Sequence, residues 1–244
     1  MHSSILLTGS SRGIGKAITQ RFLHEGWKVF GASTKEIHEW KDQPNYSHAI
    51  LNLSEVPSAI DTWMNPMFNH QTFPSVIINN AAIFLESPIE SDETEWLYKW
   101  RKTLEVNLTA SSYIAKKAIH YWVENNVHGI IINISSRAAQ RGDTQEFAAY
   151  AASKAGMLAF VKSIARNYGK KGITAFSIAP GFVHTDMAIE SIQTYGEDYL
   201  TQGLALTEIV PPEEIATLAY RIASNEFKHA TGQTFHVNSG SYMV

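Results

Sequence analysis

One short segment of the chain places a phenol and an amine at helical spacing. Tyr150 and Lys154 lie four residues apart in the alanine-rich stretch Tyr-Ala-Ala-Ser-Lys, so on a helix both side chains lie on one face, one turn apart. A free phenol has a pKa near ~10 and is a poor acid or base at neutral pH. A neighbouring ammonium favours the phenolate. The pair is therefore a candidate for general acid–base chemistry, although this spacing alone is more often a simple surface pair.

A serine and an arginine lie directly upstream of this pair. The apolar run Gly129–Ile134 is followed, after one further serine, by Ser136 and Arg137. The hydroxyl of Ser136 is suited to holding a substrate oxygen beside the phenol. Arg137 would face the substrate and select for a polar or anionic group, because burying an unpaired guanidinium is costly. The alternative is an outward Arg137 that pairs with Asp143 or Glu146 and matters little.

A glycine-rich turn lies near the start of the chain. It reads Thr-Gly-Ser-Ser-Arg-Gly-Ile-Gly over residues 8–15, between an apolar run and a helical segment. Glycines allow close approach of the backbone to a pyrophosphate, and the positive end of the helix dipole favours the phosphates. The spacing differs from the Gly-x-Gly-x-x-Gly dinucleotide fingerprint. The turn still predicts a dinucleotide site, with candidate contacts from Gly9, Ser11, Arg12, Gly13, Ile14 and Gly15.

The residues after the second predicted strand bear on the choice of cofactor. An NAD-selective site needs a carboxylate about 20 residues past the glycines to bind the ribose hydroxyls. Residues 31–35 contain no acid, whereas Arg12, Ser33 and Thr34 could hold a 2′-phosphate. The sequence therefore favours NADP, with NADPH preferred over NADH. The alternative, in which Glu36 takes the carboxylate's role and Arg12 is only solvated, stays open.

Short apolar runs alternate with helical segments along the whole chain. Most of the runs are continuously apolar, which is typical of parallel strands covered on both faces. The predicted strands are residues 4–8, 27–32, 48–53, 75–78, 129–134, 174–178 and 234–237, and the predicted helical segments are residues 14–25, 55–69, 93–124, 150–169 and 212–225. This alternation predicts a single α/β domain over residues 1–244, built on a doubly wound parallel seven-stranded sheet of the Rossmann type.

Residues 184–210 fit this alternation least well. The segment follows Pro180 and Gly181 and carries Tyr195 and Tyr199. Two interpretations are open: a mobile segment that covers the substrate, or a surface excursion without a role.

Composition excludes several classes of function. The formal net charge of -3 gives no reason to expect nucleic acid or an anionic membrane as partner. The chain has no cysteine, which rules out disulfides and thiolate chemistry. Its ten histidines form neither a His-x3-His pair near an acid nor a His-Glu-x-x-His motif, so no metal site is predicted. The amino terminus lacks the features of a signal peptide or a membrane span, so a cytoplasmic location is expected.

Together these motifs resemble the short-chain dehydrogenase/reductase family over essentially the whole chain. Residues 8–15 match the family's Thr-Gly-x3-Gly-x-Gly turn, and residues 79–82 match its Asn-Asn-Ala-Gly motif, with Ala82 where glycine is usual. Residues 180–185 resemble the loop that holds the nicotinamide carboxamide. The resemblance implies further cofactor contacts from Asn52, Leu53, Asn80, Ala81, Tyr150, Lys154, Pro180, Gly181, Val183 and Thr185.

The resemblance also implies a role for each of four catalytic residues. Asn107 falls where the family keeps the asparagine that supports a proton-relay water, and Ser136 would orient and polarise the carbonyl. Tyr150 would donate the proton in reduction and accept it in oxidation. Lys154 would bind the nicotinamide ribose and lower the pKa of the phenol. These roles describe an oxidoreductase that interconverts a ketone and a secondary alcohol. The non-enzymatic alternative, a cofactor-sensing regulator, would need neither Tyr150 nor Lys154.

Within the family the chain is particularly similar to the 3-oxoacyl-[acyl-carrier-protein] reductases, in residues 178–187 and 231–243. This likeness implies a 3-oxoacyl thioester substrate, with acyl carrier protein or a CoA thioester as partner. The polar loop over residues 137–149 keeps a polyol, a sugar or a small polar hydroxy-ketone open as the alternative. Enoyl reductases are disfavoured, because they separate the tyrosine and the lysine more widely. The family also implies a homotetramer, with helices near 93–124 and 150–169 in one interface.

Overall fold

Seven parallel strands form one sheet at the centre of the protein. The computed structural model describes residues 3–69, 73–185 and 201–243. The strands are β1 (Ser4–Thr8), β2 (Lys28–Ser33), β3 (Tyr46–Ile50), β4 (Val76–Asn79), β5 (Gly129–Ile134), β6 (Ile173–Pro180) and β7 (Thr234–Val237). They are ordered β3-β2-β1-β4-β5-β6-β7, and every neighbouring pair is parallel. The order reverses between β1 and β4, so the predicted doubly wound sheet of the Rossmann type is confirmed.

Helices cover both faces of this sheet. The α-helices of the described residues are α1 (Gly13–His24), α2 (Ser58–Asn69), α3 (Glu93–Leu104), α4 (Ala110–Glu124), α5 (Ala138–Arg141), α6 (Ala148–Tyr168) and α7 (Pro212–Ala223). Alternate residues of β1 enter two separate cores: Leu6 packs with α2, α4 and α6 residues, while Ile5 and Leu7 pack with α1 and α7 residues. This division follows from the period of two along a strand. No helix formed by the described residues is long and apolar enough to cross a membrane.

Most predicted elements agree with the observed ones to within a few residues, and two differ more clearly. The third strand spans Tyr46–Ile50, earlier than the predicted 48–53. It is an edge strand with a partly exposed face, so its pairing with β2 decides its position rather than the apolar run that follows it. The predicted continuous helix over 93–124 is interrupted by a π-helical turn, Glu105–Thr109, between α3 and α4. Such turns are frequent at functional sites.

The two ends of the predicted covering segment lie side by side. Val183 and Val210 form an isolated parallel bridge, and the amide of His184 donates to the carbonyl of Val210 at 2.9 Å. Residues 186–200 lie outside the described residues. The segment's role as a cover stays a prediction.

Candidate active site

The glycine-rich turn joins the end of β1 to the start of α1 and has no room for side chains at its glycines. Gly9 has a φ of +71°, and a Cβ there would lie 2.9 Å from both the Asn80 Nδ2 and the Ala81 Cα. A Cβ on Gly15 would overlap the Gly9 carbonyl. The turn is therefore as tight as the sequence predicted, and only glycine fits at these two positions.

Strand β4 holds this turn in place. The Asn80 side-chain amide donates to the carbonyls of Thr8 at 3.1 Å and of Gly9 at 3.0 Å. In return, the Thr8 hydroxyl accepts from the backbone amides of Asn80 at 3.0 Å and Ala81 at 3.1 Å. Asn80 and Ala81, predicted as cofactor contacts, thus also support the glycine turn. Thr8 was not among the predicted site residues, although its place at the start of the glycine motif was a signal for it.

The start of α1 fits the pyrophosphate of a dinucleotide. The Arg12 side chain makes no capping hydrogen bond, and the first turn of α1 contains no acidic residue. The free backbone amides and the helix dipole at such a terminus favour an anion. Across from the turn, a Cβ on Gly13 would come within 3.1 Å of the Thr185 methyl group. The structure therefore brings the glycine turn and the predicted nicotinamide loop together at one edge of the sheet.

The predicted adenosine contacts lie at the ends of β2 and β3. Arg12 and Thr34 are exposed, whereas Ser33 is buried and its hydroxyl donates to the Lys35 carbonyl at 2.7 Å. Asn52 is exposed in the turn after β3, where its side-chain amide donates to the Glu55 carboxylate at 2.7 Å and its Oδ1 accepts from Ser54. The neighbouring Leu53 is buried in the core.

The tyrosine and the lysine lie on α6, against the end of β5. Lys154 is only 2% exposed, and its Nζ donates to the Ile134 carbonyl at 2.8 Å. The same Nζ lies 5.6 Å from the centroid of the Tyr150 ring. A second bond, from the Ser135 hydroxyl to the Lys154 carbonyl at 3.1 Å, holds this turn of α6 on the strand. The predicted proximity of Tyr150, Lys154 and the serine-containing strand end is therefore present.

Burial shifts the pKa of both groups. Burial raises the pKa of Tyr150 to about 12, and a hydrogen bond with the Ser136 side chain opposes that rise. Burial lowers the pKa of Lys154 to about 7. The loss of hydration of the phenolate thus dominates the pKa of Tyr150, and the expected lowering by Lys154 is not found. At neutral pH Tyr150 carries its proton.

Asn107 lies in the π-helical turn and is fully buried. Its Nδ2 donates to the Ile83 carbonyl at 3.0 Å and to the Ser153 hydroxyl at 3.1 Å, while its Oδ1 accepts from the Ile83 amide at 2.8 Å. Ser153 in turn donates to the Tyr150 carbonyl at 2.7 Å. Asn107 is therefore connected to the backbone of the tyrosine through one hydroxyl. Ser153 and Ile83 were not predicted as site residues, because their part in the site depends on contacts distant in sequence.

Comparison with known proteins identifies the family. A family model described as "Enoyl-(Acyl carrier protein) reductase" matches residues 9–242. The 3-oxoacyl-[acyl-carrier-protein] reductases FabG of Vibrio cholerae and of Escherichia coli K12 are each 32% identical to the chain over 246 residues, covering 98% of this chain and 97% of the relative. The chain belongs to the short-chain dehydrogenase/reductase family. It is an NAD(P)-dependent oxidoreductase.

Solved structures agree with this assignment. The ligand-free aldohexose dehydrogenase of Thermoplasma acidophilum has a TM-score of 0.87 and 28% identity, over 98% of this chain and 94% of the other. A 4-hydroxyisoleucine dehydrogenase mutant complexed with NADH and succinate has a TM-score of 0.90 and 23% identity, over 98% of both chains. The second likeness supports the fold alone.

Arg137 does not turn outward in this short-chain dehydrogenase/reductase. The residue is 9% exposed, and its guanidinium carbon lies 4.3 Å from the centroid of the Phe182 ring. Its backbone amide donates to the Pro180 carbonyl at 2.9 Å. Asp143, one of the acids considered as its partner, lies 3.9 Å from Arg141 instead. Arg137 therefore packs on the predicted nicotinamide loop, and its contact with a substrate stays a prediction.

That loop lies against the edge of β7. The amide of Gly181 donates to the Val237 carbonyl at 2.9 Å, and a Cβ on Gly181 would lie 2.8 Å from the Asn238 Cα. Val183 is buried, and the Thr185 hydroxyl donates to its carbonyl at 3.3 Å. Pro180 ends β6 and is buried. The loop residues are thus held at the same end of the sheet as Tyr150.

An aromatic wall beside the tyrosine was missed by the sequence reasoning. The rings of Phe84 and Phe147 stack with centroids 3.8 Å apart, and Phe84 meets the Tyr150 ring edge-on at 4.8 Å. Phe147 precedes Tyr150 by three residues, which was a usable helical signal. Phe84 lies in a loop after β4, and no local pattern places it there. The two rings form an apolar surface beside the Tyr150 ring.

Proposed function

We propose that this protein is an NADP(H)-dependent reductase of 3-oxoacyl thioesters. The observation that carries the proposal is the 32% identity, over nearly the full length of both chains, to 3-oxoacyl-[acyl-carrier-protein] reductases. The four-residue spacing between Tyr150 and Lys154 supports reduction of a ketone rather than of an enoyl group. The apolar wall of Phe84 and Phe147 supports an acyl substrate, because it offers an apolar surface for a carbon chain.

The chemistry proposed for the site is a proton transfer coupled to a hydride transfer. The nicotinamide, when bound, supplies the hydride in reduction and accepts it in oxidation. Ser136 accepts a hydrogen bond from the Ala138 amide at 3.1 Å, which orients its hydroxyl to donate to the substrate oxygen. Tyr150, whose raised pKa keeps it protonated, donates its proton to that oxygen in reduction and takes it back in oxidation.

Two further residues support this transfer in the proposal. Lys154 uses one proton on the Ile134 carbonyl and has others for the ribose hydroxyls of the cofactor. Asn107 anchors the path by which the tyrosine regains its proton, since it is bonded to Ser153 beneath the Tyr150 backbone.

NADP(H) is the proposed cofactor. Support comes from the exposed Arg12 beside the phosphate turn and from the absence of an acid over residues 31–35. The guanidinium can bind a phosphate in a bidentate manner. Glu36, the alternative ribose ligand, has an exposed side chain 4.0 Å from the His38 ring.

A comparison of wild type and Arg12→Ala with both cofactors tests this preference. The wild type should favour NADPH, and the variant should lose NADPH affinity by at least about tenfold with little change for NADH, as expected for one charge-assisted hydrogen bond. A wild type that prefers NADH, or a variant with unchanged NADPH affinity, contradicts the preference.

Acyl carrier protein or CoA is the proposed carrier of the substrate, and a cytoplasmic homotetramer is the proposed state of the protein. The alternative substrates, sugars and polyols, are less favoured, since the aldohexose dehydrogenase shares 28% identity with the chain against 32% for the thioester reductases. The deciding experiment is a turnover screen with NADPH against acetoacetyl thioesters of CoA and of acyl carrier protein, aldohexoses, polyols and steroid-like ketones. Turnover of a sugar in preference to both thioesters would overturn the proposed substrate.

A further inference from the structure

A chain of polar side chains connects the glycine turn to the end of β2. The hydroxyls of Ser10 and Tyr46 lie 3.1 Å apart, and the Tyr46 hydroxyl lies 3.1 Å from Nδ1 of His48. Nε2 of His48 then lies 3.0 Å from the carbonyl of Lys35. We call Ser10, Tyr46 and His48 the β3 relay, since two of the three belong to that strand.

The packing around the β3 relay gives it a defined position. A Cβ on Gly31 would lie 2.6 Å from the Tyr46 hydroxyl and 2.7 Å from the Ser10 hydroxyl. Because Gly31 has no side chain, these two hydroxyls can approach each other across β2. Trp40, itself 6% exposed, meets the Tyr46 ring edge-on at 5.2 Å. The rings of Tyr46 and His48 are stacked at 6.0 Å. The relay is therefore part of the packed fold.

The β3 relay ends at the backbone carbonyl of Lys35. The Lys35 carbonyl accepts from the Ser33 hydroxyl at 2.7 Å and lies within hydrogen-bond distance of the His48 ring. One assignment satisfies the whole chain: His48 donates from Nε2 to Lys35, and Tyr46 donates to Nδ1. At the other end, the amides of Gly9 and Ser10 donate to the Ala32 carbonyl. Hydrogen bonds therefore connect the glycine turn to the chain on both sides of residues 33–35, at Ala32 directly and at Lys35 through the β3 relay.

We propose that the β3 relay positions the turn of residues 33–35 to hold the phosphate on the adenosine ribose of the cofactor. Tyr46 and His48 are positioning residues in this proposal, since they act on the phosphate through that turn. The turn presents Thr34 and Lys35, whose side chains are both exposed. The inference rests on the proposed preference for NADP(H). It assigns part of that preference to β3, which lies outside the glycine motif.

The test separates the 2′-phosphate from the rest of the cofactor. Binding of 2′,5′-ADP and of 5′-AMP to the full-length protein is measured by calorimetry, because these fragments differ in that phosphate alone. The variants are Tyr46→Phe, which keeps the ring against Trp40, and His48→Leu. His48→Gln restores a donor toward Lys35 and serves as the rescue. Ser47→Ala is the matched control, since Ser47 is the exposed residue between them.

The expected result is a loss of preference. Wild type should bind 2′,5′-ADP more tightly than 5′-AMP, and Tyr46→Phe and His48→Leu should each reduce that ratio by about three- to tenfold, the usual effect of one hydrogen bond. Ser47→Ala should leave the ratio unchanged, and His48→Gln should recover most of it. Variant ratios within twofold of wild type, or an equal loss for both fragments, would overturn the relay while the NADP(H) preference stands. A wild type without preference for 2′,5′-ADP overturns both.

Discussion

Burial acts on Tyr150 and Lys154 in the same sense, since it disfavours the charged form of each. It raises the pKa of the tyrosine to about 12 and lowers that of the lysine to about 7. The phenol is then a proton donor at neutral pH, which suits reduction of a carbonyl. The amine lies near the midpoint of its titration, so its charge responds to whatever binds next to it.

Removing the Tyr150 hydroxyl should separate binding from turnover. Tyr150→Phe keeps the ring that packs on Phe84, so NADPH affinity should change little, whereas turnover should fall by at least ~100-fold because the proton donor is lost. Lys154→Ala should lower both, since the proposed contact with the cofactor ribose is lost. Steady-state kinetics and NADPH fluorescence titration measure the two effects. Retention of more than about a tenth of wild-type turnover by Tyr150→Phe would contradict its role.

The buried lysine should make stability depend on pH. The pKa of Lys154 is about 7 in the folded chain against 10.5 for an ordinary lysine, so between those pH values the unfolded chain binds the extra proton and stability rises with pH. Below pH 7 Lys154 is charged in both the folded and the unfolded chain, so the folded state bears the full cost of burying the ammonium. From pH 7 to 9 the gain should be about 2 kcal/mol.

Urea denaturation of wild type and Lys154→Met at pH 6, 7, 8 and 9 measures this gain. Other titrating groups cancel in the difference between the two proteins, and the raised pKa of Tyr150 acts only above pH 10. The stability advantage of the methionine variant should therefore shrink as the pH rises. A constant difference across the series would show that Lys154 does not titrate in this window.

Arg137 should set substrate preference from its buried position on Phe182. Arg137→Leu should lose activity selectively on a substrate that ends in a carboxylate, a phosphate or several hydroxyls, because the guanidinium can bind such groups in a bidentate manner. Turnover of an apolar 3-oxoacyl thioester should be kept or should improve. Paired kcat/KM values on the two substrate classes provide the measurement. An equal effect on both classes would mean that Arg137 only supports the loop.

Among the elements, β5 has a strict steric requirement at its first residue. Gly129 begins the strand directly under α4, where a Cβ would overlap the Trp122 indole. That indole is fully buried and donates from Nε1 to the Pro74 carbonyl at 2.9 Å. The tryptophan therefore cannot move without breaking a buried hydrogen bond.

Gly129→Ala should lower the free energy of unfolding by about 2–3 kcal/mol, as overpacking of a core does. Gly169→Ala is the control, because a Cβ at Gly169 meets nothing within 4 Å, and its effect should stay within about 0.5 kcal/mol. Urea denaturation of the three proteins measures both values. Equal stability of Gly129→Ala and wild type would mean that Trp122 repacks freely.

For the whole molecule, the main prediction concerns the association of four copies of the chain into a homotetramer. Helix α3 presents Leu97 and Tyr98 to solvent, at 40% and 63% exposure, beside a stacked pair of rings from Trp96 and Trp100. Exposed apolar groups on one helix are typical of an interaction surface. They lie within the segment 93–124 that the family resemblance places in a subunit interface.

Light scattering should therefore give a mass four times that of the 27.2 kDa chain. Leu97→Glu should shift the population toward smaller species, because it places a charge in the apolar contact. Ile50→Glu is the control, since Ile50 is 66% exposed on the edge strand, outside the proposed interface. A stable wild-type monomer at micromolar concentration would refute the tetramer.

The sequence by itself determined the sheet and which motifs lie close together at one edge of it. The strand and helix pattern needs only local periodicity, and the Tyr150–Lys154 pair and the glycine turn are each contained within a few residues, so their geometry follows from the backbone of one element. The parallel sheet then brings the ends of β1, β4, β5 and β6 to one edge. For that reason the proximity of these motifs could be predicted without coordinates.

Only the tertiary structure decided the properties that depend on residues distant in the chain. The pKa values of Tyr150 and Lys154 come from burial between α6 and β5, and the inward position of Arg137 comes from its contact with the loop after β6. Phe84 reaches the tyrosine from the loop after β4, and the β3 relay depends on an edge strand whose pairing the apolar pattern misplaced. Dehydration and packing of these side chains depend on contacts between elements, and a local pattern of residue types does not predict such contacts.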